Sequence, residues 1–194
     1  IKAAITANTK AILPVDIGGW PCDYDSLFKI VNDTNVIKSF NPQGKNQKKL
    51  GRILILADAA HSIGALYKGI SIGKVADITI FSLHSVKNVT TGEGGAICLN
   101  LPGSFNPQNE YKFLKAFSLN GQTKSAFEKN QPGAWKYDII DQGLKVNMPD
   151  LCATVGLAQI RKYKSELLPD RRRIFDFYTN HLKCYDWAII PPYE

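Results

Sequence analysis

FSLHSVKNVTTGEGG, Phe81–Gly95, sets a single lysine, Lys87, between a hydroxyl-bearing strand end and a glycine-rich turn. A lysine so placed can grip a phosphate, condense with a carbonyl or stand in water. Upstream, DITIFSL (Asp77–Leu83) reads as a strand, and downstream GGAICLN (Gly94–Asn100) reads as another. The order of residues excludes two phosphate-binding loops. A Walker A loop carries its lysine after the glycines and leads into a helix; here Lys87 precedes TTGEGG, which leads into a strand. GEGG fails as a dinucleotide fingerprint for the same reason, because that motif must open a helix. A covalent role stays open, since burial or a cationic neighbour can free a lysine of its proton near neutral pH. Beside it stands the plainer reading of a surface lysine next to a strand-end serine.

Working outward, RILILAD (Arg52–Asp58) is a continuous apolar run of the kind buried on both faces of a parallel sheet. KAILPVD (Lys10–Asp16) reads as a short buried strand, halted by Gly18-Gly19 and Pro21. DYDSLFKIVN follows with Tyr24, Leu27, Phe28 and Val31 at helical spacing and acidic residues in its first turn. Asn35–Gly51 is polar and basic without usable periodicity, and reads as a surface insertion. EYKFLKAFSL reads as a helix, and Asn120–Lys145 carries only weak signals. From Pro149 to about Leu182 the pattern is helical (Leu151, Val155, Ala158, Ile160, Tyr163, Ile174, Phe175, Tyr178), with Pro169 bending or dividing it. Strands alternating with helical or looped crossovers predict an α/β layer fold, in which ligands gather at the carboxyl ends of the strands. Asp58 and Ser82 both fall there. Pyridoxal phosphate chemistry would need a lysine, an acid for the pyridine nitrogen and donors for the phosphate. Lys87, Asp58 and Ser82 supply those residue types.

The 194-residue chain has a formal charge of +7, with 44% hydrophobic and 21% charged residues, which reads as a soluble globular protein. Much of the basic excess lies in GKNQKKLGR (Gly44–Arg52) and RKYKSELLPDRRR (Arg161–Arg173). Neither interleaves aromatics with glycine as single-strand binders do, so they read as a solvated loop and a solvated helix face, with no nucleic-acid partner. The charge also suits an anionic small molecule such as a nucleotide-linked substrate. No apolar run approaches the roughly 20 residues of a membrane span. Cys22, Cys98, Cys152 and Cys184 form no C-x-x-C pair, so the expectation is free thiols, no metal site and a cytoplasmic location. IKAAITANTK lacks an initiator methionine and WAIIPPYE stops just after an apolar run; the chain is expected to be a fragment, incomplete at both ends.

LADAAHSIGALYKGISIGKVADITIFSLHSVKNVTTGEGGAICLN carries, in order, an acidic strand end followed by A-A-H, then Y-K-G, then F-S-L-H-x-x-K-N-x-T-T-G-E-G-G. GLKVNMPDLCATVGLAQIRKYKSELLPDRRRIFDFYTNHL adds a helix with a triple-arginine continuation. With KAILPVDIGGWPCDYDSL, these blocks resemble the nucleotide-sugar aminotransferases of the DegT type, fold-type I enzymes that use pyridoxal 5'-phosphate (PLP). The resemblance implies a mixed, mostly parallel sheet flanked by helices. It implies a partial PLP-binding large domain over residues 1–145, and over 146–194 a long helical segment leading to a small domain. It makes Lys87 the catalytic residue and covalent cofactor carrier, and Asp58, His61, Ser82 and Asn147 cofactor-binding residues. Asp58 would pair with the pyridine nitrogen and Ser82 would donate to the phosphate. His61 would sit beside the ring, or else be a satisfied core histidine. Asn147 would reach the cofactor of a neighbouring subunit in a homodimer, or else stand near a helix start. The implied reaction moves an amino group from glutamate or glutamine to a nucleotide-linked keto-sugar, in nucleotide-sugar and polysaccharide biosynthesis.

Two other readings accompany it: a PLP-dependent sugar dehydratase, disfavoured by Lys87 where related dehydratases tend to carry histidine, and a truncated, non-catalytic dimerising relative. His84 is read as structural support for the lysine turn, and Glu93 as bracing that turn by accepting backbone hydrogen bonds. Trp20, Trp135 and Tyr137 are read as packing residues outside the site. Family chains are roughly twice this length, so parts of the phosphate cradle and the small domain are expected outside this chain.

Overall fold

A computed structural model describes residues 1–190. The fold is built on a four-stranded sheet in the order β1 (Ala11–Ile12), β2 (Leu54–Asp58), β5 (Ile78–Ser82), β6 (Gly95–Leu99). The first three strands run parallel, with Ala11 opposite Leu54 and Asp58 opposite Ile80; β6 returns antiparallel along β5, pairing Ser82 with Gly95. The sheet is therefore mixed and mostly parallel, as the family resemblance implies. The first strand is shorter than KAILPVD promised. Pro14 has no N–H to give the ladder, and pairing resumes only as the bridge between Val15 and Asp58.

One face of β2 is buried against α1 (Tyr24–Val31). Ile53, Ile55 and Ala57 alternate inward and meet Tyr24, Leu27 and Val31, all in one core cluster. Burial of each large apolar side chain contributes about 1.5–3 kcal/mol. Asp23 starts the helix by accepting from the Ser26 N–H at 3.1 Å, leaving the apolar stripe free to face the sheet. Asn35–Gly51, read as an insertion without periodicity, is instead largely helical: α2 (Thr34–Ser39) and α3 (Lys45–Leu50). Asp33 caps α2, accepting from Asn35 N and Val36 N, and Val36 is buried. The helices are too short for a periodic stripe, which is why the pattern hid them.

Between β2 and β5 the chain crosses through a small hairpin, β3 (Leu66–Tyr67) and β4 (Ile70–Ser71). Its two-residue turn is Lys68-Gly69, both at positive φ (49° and 81°), the conformation that matches strand twist in a hairpin. Arg52 and Asp77 lock the amino ends of β2 and β5. The Asp77 carboxylate takes two guanidinium bonds at 2.7 and 2.8 Å and the Ile55 N–H at 2.9 Å.

After β6 come α4 (Pro107–Phe117) and the short α5 (Ala126–Lys129). Around α5, isolated bridges pair Leu119 with Lys145 and Gln122 with Ile139. The terminal helical stretch is continuous in an unexpected way. α6 (Asp150–Lys162) passes through a π-helical turn, Tyr163–Leu167, into α7 (Leu168–Leu182). Pro169 offers no N–H to the carbonyl four residues back and crowds it, and the helix widens ahead of the proline rather than breaking. Residues 191–194, the end of the segment assigned to 146–194, lie outside the described residues.

Candidate active site

Lys87 sits in the turn after β5, with its N–H donating to the His84 carbonyl at 3.0 Å. The turn is closed at its base by Leu83 N to Gly94 O and Thr91 N to Leu83 O, both 2.9 Å. Gly94 lets the two limbs approach: a Cβ there would lie 2.5 Å from Thr91 Oγ1 and 2.8 Å from Met148 Cε. His84 supports the turn through its carbonyl. Glu93 does not brace it as expected. Among the described residues its carboxylate accepts no backbone N–H and faces His84 Nε2 at 3.6 Å, while its carbonyl accepts from Thr91 Oγ1. Both side chains are too exposed for that pair to hold the turn firmly.

Lys87 and His61 open into one cleft of 740 Å³, a size that suits a small-molecule ligand. Its other walls are the Gly18–Trp20 turn, the segment from Ser62 to Leu66, and the beginning of α7. Hydrogen bonds join three of these walls. Gly18 N–H donates to His61 Nδ1 at 3.2 Å, and Asn88 Nδ2 donates to the His61 carbonyl at 3.3 Å. Accepting at Nδ1 makes Nδ1 the unprotonated nitrogen, so the ring proton sits on Nε2 as a donor.

Asp58 and Ser82 stand at the carboxyl ends of the neighbouring strands β2 and β5. Asp58 is exposed; among the described residues its carboxylate takes one bond, from Ala60 N at 3.1 Å. Ser82 Oγ accepts from His84 N at 3.3 Å, and no acceptor for its own proton occurs among those residues. Asn147 is not brought into the cleft. It lies exposed three residues ahead of α6 and accepts from Lys145 Nζ at 2.7 Å, while neighbouring Met148 packs by the Gly94 turn.

Several participants escaped the sequence reading. Asp16 is fully buried and ties the Gly18–Trp20 turn to the His61 segment. Its carboxylate accepts from Cys22 N (3.0 Å), Tyr24 Oη (2.8 Å) and Ser62 Oγ (2.9 Å). Burial first, then the bond to this carboxylate, pushes the Tyr24 phenol far above its ordinary range. Tyr163, at the start of the π-helical turn, donates to the Ile63 carbonyl at 2.7 Å. Gly64 makes room for it: its φ is +89°, and a Cβ would fall 2.4 Å from the phenolic oxygen. Trp20, read as packing, lines the cleft with 47% of its surface exposed, whereas Trp135 and Tyr137 are not part of the lining. The Gly18-Gly19 pair beside Asp16 and the asparagine beside Lys87 were the available signals; Tyr163 had none. Among the described residues there is no metal-binding cluster of three or more His, Cys, Asp or Glu, and no helix long and apolar enough to cross a membrane.

The mixed sheet, with a lysine turn at its carboxyl edge, is the architecture of the fold-type I transferases. The chain belongs to the DegT/DnrJ/EryC1/StrS aminotransferase family, which it matches over residues 1–38 and 47–192. The one internal gap in the match is 39–46, so any insertion is narrower than Asn35–Gly51. It is 35% identical over 193 residues to the uncharacterised protein MJ1066 of Methanocaldococcus jannaschii, covering 98% of this chain and 44% of that one. It is 31% identical over 163 residues to the spore coat polysaccharide biosynthesis protein SpsC of Bacillus subtilis, covering 84% and 36%. Among solved structures it resembles Spr1654 of Streptococcus pneumoniae, described as a candidate sugar aminotransferase and solved in a PMP form. The TM-score is 0.85 at 42% identity, covering 94% of this chain and 45% of that one. The chain thus spans less than half the length of these relatives.

Proposed function

We propose that this chain carries the lysine-bearing part of a PLP-dependent aminotransferase site. The whole protein would move an amino group from glutamate or glutamine to a nucleotide-linked keto-sugar. The observation that carries the reading is that Lys87 and His61 open into one cleft, beside strand ends bearing Asp58 and Ser82. The residues fit the cofactor in kind. There is an under-used carboxylate for a pyridinium nitrogen, a hydroxyl with a proton to give to a phosphate, an imidazole N–H and an amine in the cleft.

When bound, PLP withdraws electrons from the bond at the substrate Cα. Lys87 would hold the cofactor covalently through Nζ and would be released when the incoming amine takes its place. Its freed amine would take the proton from the substrate Cα and deliver it to the cofactor's C4′, and would make the reverse transfer in the second half-reaction. Asp58 would pair with the pyridine nitrogen, and its carboxylate would favour the protonated form of that nitrogen. Ser82 Oγ donates to the phosphate. His61, anchored at Nδ1 by the Gly18 N–H, would offer its Nε2 proton beside the cofactor ring. Asn147, exposed ahead of α6, is free to serve a neighbouring copy's site in a homodimer. Residues 1–145 form part of the cofactor-binding domain, and the helices beyond lead to the small domain. Free Cys22, Cys98, Cys152 and Cys184 suit the reducing cytoplasm.

The test uses the full-length protein loaded with PLP. Glutamate or glutamine alone should release about one equivalent of its keto acid per subunit and then stop, as a ping-pong half-reaction requires. A nucleotide-linked keto-sugar should restart it. Keto-acid release that needs the sugar present from the start, or that survives Lys87→Ala undiminished, would overturn the reading.

A further inference from the structure

The cleft has a second, unlike wall. Leu168, Arg171, Arg172 and Phe175 line it from α7, at the i, i+3, i+4 and i+7 spacing that puts side chains on one helix face. Two guanidinium-bearing residues thus stand in the middle of a face whose outer members are apolar. A helix face that packs into a core does not carry arginines at its centre, and a purely solvated face has no reason to border the cleft that holds the candidate lysine. Asp170 is taken by Arg173 at 3.2 Å, and Arg171 forms no ion pair or hydrogen bond with an acid among the described residues. Arg171 lines the cleft together with Ile63 and Gly64, the rim where the Tyr163 phenol donates to the Ile63 carbonyl. Across the cleft, half-exposed Trp20 offers a flat apolar surface.

We infer that Arg171 is the anion-binding residue of this cleft and takes the diphosphate of a nucleotide-linked sugar, with the Trp20 rim receiving the uncharged part of the nucleotide. The inference rests on the proposed reaction for its choice of ligand. Two anions are available in that reaction, the diphosphate of the acceptor and the α-carboxylate of the amino donor. The donor carboxylate is attached to the reacting Cα and has to bind beside Lys87. The diphosphate lies a sugar ring further out, which suits an exposed arginine on the opposite wall. Guanidinium is the matching group, because its planar fork binds phosphate oxygens in pairs and keeps its charge at any working pH.

The test measures binding of UDP, dTDP, GDP and CDP, and of the matching nucleosides, to the full-length protein by calorimetry. Wild type, Arg171→Ala and Arg171→Lys are compared, alongside borohydride trapping of PLP at Lys87 and the glutamate half-reaction. At least one nucleoside diphosphate should bind wild type. Arg171→Ala should weaken that binding about tenfold or more, as loss of a charged hydrogen bond implies, with Arg171→Lys between the two. Nucleoside binding and the glutamate half-reaction should not change. Diphosphate affinity in Arg171→Ala within about twofold of wild type, less than a weak hydrogen bond is worth, would overturn the inference. So would loss of the glutamate half-reaction with diphosphate binding intact, which would assign Arg171 to the donor carboxylate. Failure of wild type to bind any of the four while PLP is trapped at Lys87 would overturn the inference and leave the proposed reaction standing. Arg171-dependent diphosphate binding in a protein that does not fix PLP at Lys87 would do the reverse.

Discussion

Strands β2 and β5 carry an acid near each end of their pairing, and the two ends are built in opposite ways. At the amino ends Asp77 is buried at 2% exposure, with both oxygens engaged by Arg52 and the Ile55 N–H. At the carboxyl ends Asp58 is exposed, with one local bond from Ala60 N. Neither Asp58 nor neighbouring Ser82 has the set of partners that Asp77 has. A carboxylate that the protein satisfies completely contributes to the fold and has nothing left to offer a ligand. A carboxylate left under-used at the strand ends, beside a cleft holding Lys87, is available for chemistry.

The largest expected effect comes from breaking each end in turn. Asp77→Ala leaves the Arg52 guanidinium, itself only 14% exposed, without its counter-ion, and should lower unfolding free energy by about 3–5 kcal/mol in a urea titration. Asp58→Asn should shift the same titration by no more than about 0.5 kcal/mol. In the PLP-loaded full-length protein, however, it should cut amino transfer by about 10²-fold, the usual cost of removing one well-placed electrostatic partner. Equal stability losses at the two ends would erase the contrast.

Asp16 sharpens it from the middle. This acid is as buried as Asp77, yet it serves the cleft by holding the Gly18–Trp20 turn against Ser62. Asp16→Ala strands three donors and should cost at least about 2 kcal/mol. It should also loosen the Gly18–His61 bond, read as faster amide exchange at Gly18. A loss of stability without that change would make Asp16 a fold residue only.

A smaller effect appears at alkaline pH. The phenols of Tyr24 and Tyr163 have folded pKa values raised chiefly by burial above the ordinary value of about 10. A raised folded pKa means that the stability from these groups is complete below about pH 10 and is lost as pH rises toward the folded values, at up to about 1.4 kcal/mol per pH unit per group. Tyr24→Phe should therefore flatten the fall in urea midpoint above pH 10. An unchanged alkaline slope would contradict the burial of that phenol.

Much of the sheet was legible because its strands are written as apolar runs bounded by glycine and proline, and RILILAD and DITIFSL appear nearly where the sequence put them. Ser82 and Lys87 could be proposed as site residues because both lie in one short stretch of sequence. What stayed hidden depends on long-range contact. Asp16 and Ser62 are 46 residues apart, and Tyr163 and Ile63 are 100 apart. No local pattern announces either bond. α2 and α3 were missed because helices of six residues are held by caps and tertiary contact rather than by periodicity. The expected brace at Glu93 failed because an acid in a glycine turn says nothing about which way its side chain faces.

The central claim is that Lys87 is the cofactor-bearing residue, and the most direct measurement is to trap it. Full-length protein is mixed with PLP, reduced with borohydride, digested and mapped by mass spectrometry, with Lys87→Ala alongside. The expected result is a pyridoxyl label on the peptide containing Lys87 and none in the variant. A label on another lysine, or no label on a folded full-length protein, would contradict the assignment of this cleft.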